Sequence, residues 1–461
     1  MTRVLVVVGH GMAGNRLIEE VRAGDPEGRW RIVAAAEEPR PAYDRISLSS
    51  YLDGKTAADL DITTPRLRTD PLVDLRLNTR ATGLDRDSRT VTCADGTVLP
   101  YDALVLATGS RPFVPPVPGK ELTGCFTYRT IEDLDALREA VRPGEPAVVI
   151  GGGLLGLEAA RVLRLLGGVP HVVEMAPHLM PLQVDEGGGR VLARLVGELG
   201  VDVHCGNGLA SVDAGTDGRV GSVTLSDGTV LPASTVVFAA GVRPRDELAE
   251  PAGLERGARG GFLVDERCRT ADEHVWAVGE CAAVLGTCYG LAAPGYRMAE
   301  TVARQLLGSA SAVFPGADTS TKLKLLGVDV AGFGDVHART EGAMEFVRED
   351  RAAGTYGKLV LARDGRTLLG GVLAGDAGGT PCSAHSSAVN SPPRRNSCWP
   401  AARRCEGTTV PPCPGALPRG GNPDADGADH PLGCARLTPA AAAAAAGRAG
   451  SAVRGSETYG V

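Results

Sequence analysis

The chain opens on an unbroken apolar run, Val4-Leu-Val-Val-Val8, which reads as a buried strand. A glycine turn follows, Gly9-His-Gly11-Met-Ala-Gly14, and then apolar positions at Leu17, Ile18 and Val21 with the spacing of a helix face. A second strand, Arg31 to Ala36, ends in Glu37 and Glu38. The same order then returns: a strand from Ala147 to Ile150, a turn Gly151-Gly-Gly153-Leu-Leu-Gly156, a helix through Leu166, and a strand His171 to Val173 ending in Glu174. Each unit is followed by a further strand that closes on glycine, Leu104-Val-Leu-Ala-Thr108-Gly109 and Thr235-Val-Val-Phe-Ala-Ala-Gly241. The pattern predicts an α/β protein with two Rossmann-like βαβ nucleotide-binding units.

Val275-Trp-Ala-Val-Gly279-Glu280-Cys281 reads as a strand entering a helix that returns the chain to the first domain. After about Asp318, the β-patterned runs Lys322 to Leu326, Leu359 to Leu361 and Leu368 to Leu373 predict a small α+β domain. Near Gly379 the character changes. From Thr380 to Val461 there are 11 prolines, five cysteines, seven consecutive alanines from Ala440 and only nine large apolar or aromatic residues. Such a stretch buries too little surface to offset its ordering entropy, so 380–461 is expected to be a disordered low-complexity tail. Only five of the 48 basic residues are lysines, a bias of GC-rich coding DNA. A frameshifted end is one reading of the tail, and a natural low-complexity extension is the other.

Composition narrows the partners. With 48 basic against 55 acidic residues the net charge is −7, which disfavours nucleic acid or an anionic membrane as the main partner. No apolar run approaches the roughly 20 residues of a membrane span, and the expectation is a cytoplasmic protein. The 11 cysteines show no paired spacing. Those of the tail, Cys382, Cys398, Cys405, Cys413 and Cys434, form no C-x₂-C pair, so no metal site is expected there.

The candidate chemistry is binding rather than covalent catalysis. Glycines at 9, 11, 14 and at 151, 153, 156 allow a pyrophosphate close to a helix N-terminus, where free N–H groups and the dipole favour anions. A carboxylate at the end of the following strand accepts both ribose hydroxyls, which points to Glu37 or Glu38, Glu37 slightly favoured, and to Glu174. Glu158 is either a helix acid stabilised by the dipole or a neighbour of a nicotinamide. His10, Met12, Leu154 and Leu155 are read as loop positions that pack. His178 is the one group near Glu174 able to add positive charge.

Together with Gly241-Val-Arg-Pro244 and Val278-Gly-Glu280-Cys281, these motifs resemble the pyridine nucleotide-dependent flavoprotein family with two dinucleotide sites. Finer features resemble the flavoprotein section of the large subunit of assimilatory NAD(P)H nitrite reductase: Ala42-Tyr43-Asp-Arg45-Ile-Ser-Leu-Ser49, Phe126-Thr-Tyr-Arg129, Gly153-Leu-Leu-Gly156-Leu-Glu158, Glu174-Met-Ala-Pro177, and glutamate at 280. The resemblance implies an FAD domain, 1–115 and 243–317, interrupted by an NAD(P)H domain, 116–242, and followed by the α+β domain, 318–379. It implies FAD contacts at Gly9, Gly11, Met12, Ala13, Gly14, Glu37, Glu38, Arg45, Ser49, Ala81, Thr108, Gly109, Arg129, Gly279 and Glu280. For the second nucleotide it implies Gly151, Gly153, Leu154, Leu155, Gly156, Glu158, Glu174 and Gly241. Gly279 and Glu280, at a helix start, would aim a positive dipole at the reduced flavin.

The implied reaction takes hydride from NADH, preferred over NADPH, to FAD and sends electrons to an iron–sulfur or sirohaem module or a small redox carrier. A homodimer is the other expected partner, and no side chain is assigned as a covalent catalyst. Residues 39–60 contain no cysteine, which excludes the dithiol chemistry of disulfide reductases, and Ser50 stands where related reductases often have a lysine. The expected cluster and sirohaem regions have no counterpart after Thr380. Three readings therefore stay open: a truncated nitrite reductase section, a self-contained ferredoxin or rubredoxin reductase, and an inactive flavin-binding fragment.

Overall fold

A computed structural model describes residues 2–325 and 328–376, and the expectation for the tail lies outside these residues. The chain forms two compact units, one from Met1–Leu182 with Ala193–Thr319, the other from Gln183–Leu192 with the chain from Ser320 onward.

The first unit holds two parallel five-stranded sheets of the same design. One has the order Val275–Ala277, Ala103–Leu106, Arg3–Val8, Trp30–Ala35, Val73–Arg76. The apolar run takes the centre, where Val8 faces Leu106 on one side and Ala35 on the other. Leu5 to Val8 are buried because neighbours cover both faces of a central parallel strand. The helix Met12–Gly24 packs on it through Leu17, Ile18 and Val21, the three positions that the pattern marks. In the second sheet the order is Asp202–Cys205, Val169–Glu174, Pro146–Ile150, Thr235–Phe238, Cys125–Thr127, with Ile150 between Val173 and Phe238. The helix Leu154–Leu165 repeats the role of the first one.

A two-stranded ribbon joins the two halves of this unit, with Ser110–Pro112 antiparallel to Val242–Pro244. It is pinned at both ends: Phe113 N donates to Gly241 O at 2.8 Å, and Arg245 N donates to Gly109 O at 2.9 Å. One sequence expectation needs correction here. After the strand Val275–Ala277 the chain does not enter a helix; Gly279–Cys281 is a single 3-10 turn that runs into another strand, Ala282–Val284. Ala282, Ala283 and Val284 pair with Phe262–Val264, and this pairing captures the segment before a helix starts. The next helix begins only at Ala292.

The second unit is an antiparallel sheet ordered Thr321–Leu325, Val328–Gly334, Leu368–Ala374, Thr355–Leu361, Met344–Asp350. The segment Gln183–Leu192 lies flush on it, which explains two of its three consecutive glycines. A Cβ on Gly187 would stand 2.6 Å from the Tyr356 ring, and one on Gly188 2.8 Å from Val372 Cγ1. Asp185 anchors the segment by accepting from the Tyr356 hydroxyl at 2.7 Å and from buried Lys358 at 3.3 Å. Lys358 also meets Glu345 at 2.6 Å. Burial works against the Lys358 ammonium, but the two carboxylates outweigh it and raise its pKa.

Removing one partner of a buried ion pair strands the other. Glu345 is half exposed and Asp185 keeps its tyrosine, so Lys358→Met should cost about 2 kcal/mol rather than the 3–5 kcal/mol of a fully buried pair. Denaturant unfolding checks this. A loss below about 0.5 kcal/mol, the range of ordinary surface substitutions, would mean that the network does not hold the unit.

Candidate nucleotide-binding sites

Both glycine turns have the same geometry, fixed by backbone approach. Gly9 has φ +102°, and a Cβ there would lie 2.3 Å from Ala107 O. Gly151 has φ +116°, and its Cβ would lie 2.4 Å from Ala239 O. The third glycine of each turn presses the helix onto the turn: a Cβ on Gly14 or Gly156 would come within 2.3 or 1.8 Å of Gly9 O or Gly151 O. The middle glycines differ in kind. Gly11 and Gly153 have nothing within 4 Å of a built Cβ, and each is the N-cap of its helix without a side-chain cap. The amides of Met12 and Ala13, and of Leu154 and Leu155, thus end their helices beside open space, with the donors and dipole that bind a phosphate anion. The two cradles fit the pyrophosphates of FAD and of a nicotinamide dinucleotide.

Around the first turn, His10 is buried and its Nδ1 accepts from Ala42 N at 3.1 Å. Burial lowers its pKa to about 4, so the ring is neutral and ties the turn to the segment that carries Arg45. Glu37 and Glu38 leave the strand Trp30–Ala35 in different directions. Glu37 meets Arg245 at 2.5 Å and Arg80 at 3.8 Å. Glu38 pairs with Arg45 and accepts from the Tyr43 hydroxyl at 2.9 Å. Arg45 also donates to Arg129 O at 2.9 Å.

Glu280 accepts from Ser110 Oγ at 2.6 Å and from Arg129 at 2.5 Å, which joins three distant segments. Gly279, at φ +80°, donates its N–H to Met298 Sδ at 3.4 Å. A three-residue 3-10 turn has no helix macrodipole to offer, so the expected dipole from Gly279 and Glu280 is withdrawn. Cys281 beside it is fully buried, its thiol donates to Leu106 O and Val278 O, and burial raises its pKa. Thr108 Oγ1 donates to Arg245 O at 2.5 Å, and Gly109 and Gly241, both at positive φ, flank the ribbon. Ala81 stands apart from these contacts, at the start of the strand Ala81–Asp85 opposite Cys93.

At the second turn, Glu174 folds back onto the loop. Its carboxylate accepts from Gly152 N at 2.6 Å and from Ala176 N at 2.8 Å. Glu158, on the helix Leu154–Leu165, is pushed up to about 7 by burial, with Arg161 pulling the other way. The sequence alone does not single out Arg161 and Tyr128, which interact with it, or Asp53, which holds Arg161. Arg161 is legible as a partner three residues on, whereas Asp53 is 108 positions away and leaves no local signal.

Residues 3–305 match the pyridine nucleotide-disulphide oxidoreductase family, and residues 320–382 match the rubredoxin NAD+ reductase C-terminal domain. The chain is 47% identical over 375 residues to the nitrite reductase [NAD(P)H] large subunit of Klebsiella oxytoca, a match covering 81% of this chain and 39% of that protein. It is 33% identical to the rubredoxin-NAD(+) reductase of Alcanivorax borkumensis, over 81% of this chain and 95% of that one. Among solved structures, the ferredoxin reductase for the CYP199A2 system of Rhodopseudomonas palustris superposes with a TM-score of 0.73 at 28% identity, covering 82% of this chain and 92% of that chain. The chain thus spans about four-tenths of the length of the Klebsiella relative. With two nucleotide cradles on one duplicated scaffold, this chain belongs to the pyridine nucleotide-disulphide oxidoreductase family and is an FAD-dependent NAD(P)H oxidoreductase.

Proposed function

We propose that the protein takes electrons from NADH and delivers them, through FAD, to an iron–sulfur or sirohaem acceptor of the nitrite reductase kind in nitrate and nitrite assimilation. The observation that carries this reading is the pair of matched glycine cradles, each with a carboxylate beyond the next strand, in a chain 47% identical to a nitrite reductase large subunit. The segments 1–115 and 243–317 form the FAD domain, 116–242 the NADH domain, and 318–379 the domain that follows. Bound FAD supplies a two-electron acceptor able to release electrons singly.

The chain's own residues hold and orient. The amides after Gly11 bind the FAD pyrophosphate, and the Glu37–Glu38 pair receives the adenosine ribose. Ala81, Thr108 and Gly109 border that nucleotide. Arg45, Ser49, Arg129, Gly279 and Glu280 line the path toward the second domain. Gly151 to Gly156, with Leu154 and Leu155, hold the second pyrophosphate, Glu174 takes its ribose, and Glu158 and Gly241 lie toward the junction of the two halves. The reaction needs no covalent side-chain catalyst, because positioning two bound rings supplies the rate.

The 95% coverage of a rubredoxin-NAD(+) reductase favours a second reading, electron delivery to a small carrier protein. We also place the protein in the cytoplasm, as a homodimer; no helix among the described residues is long and apolar enough to cross a membrane.

The purified chain, supplied with FAD, should turn yellow and reduce ferricyanide with NADH. It should form ammonia from nitrite only when the iron–sulfur and sirohaem portion of a relative is added in trans. Efficient reduction of a rubredoxin or ferredoxin with no response to that portion would favour the second reading. A colourless protein that takes up no FAD would contradict both.

A further inference from the structure

The junction between the Leu154–Leu165 helix and the 3-10 turn Leu48–Tyr51 contains a charge that has been drawn away from its nearest partner. Glu158 and Arg161 stand three residues apart on one helix, a spacing that brings side chains together on one face. Yet Arg161 does not bond Glu158. Its guanidinium donates to Asp53 Oδ2 at 2.7 Å and to Ser49 Oγ at 3.4 Å, both on the opposite side of the junction. The Glu158 carboxyl is left desolvated, with Tyr128 nearby. Tyr128 is itself buried.

We propose that Asp53, assisted by Ser49, is a latch that withholds Arg161 from Glu158, which makes Asp53 a positioning residue for the charge on the carboxyl beside the second glycine turn. This rests on the proposed function only for its consequence, namely that the latch sets whether the junction carries a negative charge when the nucleotide arrives. The carboxyl itself can be followed without any turnover.

The other elements packed against this helix leave Arg161 as the group that decides. The strand Pro146–Ile150 carries no ionisable side chain. On the strand Val169–Glu174, His171 faces Asp202 and His204, and Glu174 is bound by the amides of Gly152 and Ala176. In the 3-10 turn Tyr51 donates to Asp135 at 2.8 Å. Tyr128 stays neutral, because burial first and Glu158 second hold its phenol above the ordinary range.

With the latch in place, burial holds the proton on Glu158 up to about pH 7. In Asp53→Asn the amide oxygen accepts without a charge and the contact to Ser49 at 3.4 Å is long, so the guanidinium is held less tightly and Arg161 turns back along its own helix. An opposite charge within reach lowers a carboxyl pKa by about 1–3.

The test is infrared titration of the full-length, FAD-loaded chain, with Glu158→Gln subtracted to isolate this carboxyl, in the unmodified protein and in Asp53→Asn. The expected result is a midpoint near pH 7 that moves acidward by at least about 1 in Asp53→Asn. The same displacement should appear in the pH profile of kcat/KM for NADH. Adding Arg161→Met to Asp53→Asn should return the midpoint to neutral pH, which a merely structural effect of the substitution would not do. An unchanged midpoint in Asp53→Asn, or an ordinary glutamate midpoint in the unmodified protein, overturns the latch. A protein that shows the infrared displacement but no NADH oxidation would keep the latch and refute the proposed function.

Discussion

Gly9→Ala should produce a folded but colourless protein, whereas Gly151→Ala should remain yellow and lose its response to NADH. Both positions have φ beyond +100°, a region that costs an alanine about 1–3 kcal/mol. In both, the new methyl would meet the carbonyl of the residue just past a neighbouring strand, at 2.3 Å from Ala107 O for Gly9 and 2.4 Å from Ala239 O for Gly151. Ala107 cannot retreat freely, because its N–H donates to Val8 O at 2.7 Å, and Ala239 is held in the same way by Ile150 O at 2.8 Å. The turns must therefore move, and with them the amides that face the pyrophosphate. Loss of about 1.4 kcal/mol of binding is already tenfold, so each variant should weaken its own nucleotide at least about tenfold. FAD content by absorbance and KM for NADH by dye reduction separate the two, with circular dichroism as the check on folding. If both variants lost FAD together, or both kept it, the assignment of one nucleotide to each turn would be wrong.

Nucleotide choice should favour NADH over NADPH by about 10–100-fold in kcat/KM. The carboxylate of Glu174 is fixed by two backbone donors, and Met175, Ala176 and Pro177 after it bring no positive charge. Two unit charges about 4 Å apart at a partly screened surface repel by roughly 4 kcal/mol, and solvent exposure reduces this to the range quoted. His178 is buried, and its Nδ1 is turned onto its own neighbour's carbonyl, Leu179 O, at 3.0 Å.

The two-donor geometry also refines the choice of variant. Glu174→Ala would leave the buried Gly152 N–H without an acceptor and damage the turn along with the ribose contact. Glu174→Gln removes the charge but keeps one carbonyl oxygen for the buried Gly152 N–H, and leaves the less buried Ala176 N–H to solvent. It should narrow the gap between the nucleotides, mainly by raising KM for NADH. Equal or better kcat/KM with NADPH in the unmodified protein would mean that the second ribose lies elsewhere.

The features legible in the sequence are those set by neighbours along the chain. Val4 to Val8, Gly9 to Gly14 and their counterparts around Gly151 each encode strand, turn and helix within some 25 residues, and the structure forms all of them. Gly279 to Cys281 misled because an acid after a glycine has the look of a helix start. The outcome was decided by Phe262–Val264, a strand partner some 20 residues upstream. The packing of Gln183–Leu192 on a sheet made by residues 321–374 was equally hidden, since three glycines announce a close approach without saying to what. The carboxylates that follow the strands, Glu37, Glu38 and Glu174, are legible from position. The contacts that orient the junction were not: Ser110 and Arg129 reach Glu280 across 170 and 151 residues, and Asp53 reaches Arg161 across 108. Such pairs follow from how sheets are stacked, which no local periodicity reports.

The central claim is that one chain binds both nucleotides so that NADH delivers its electrons directly to FAD. Anaerobic mixing of the FAD-loaded protein with NADH, with no other acceptor present, tests it most directly. The account predicts rapid bleaching of the flavin absorbance, saturable in NADH and abolished by Gly151→Ala, with one NADH consumed per FAD. A flavin that binds stoichiometrically yet stays oxidised under excess NADH would contradict it.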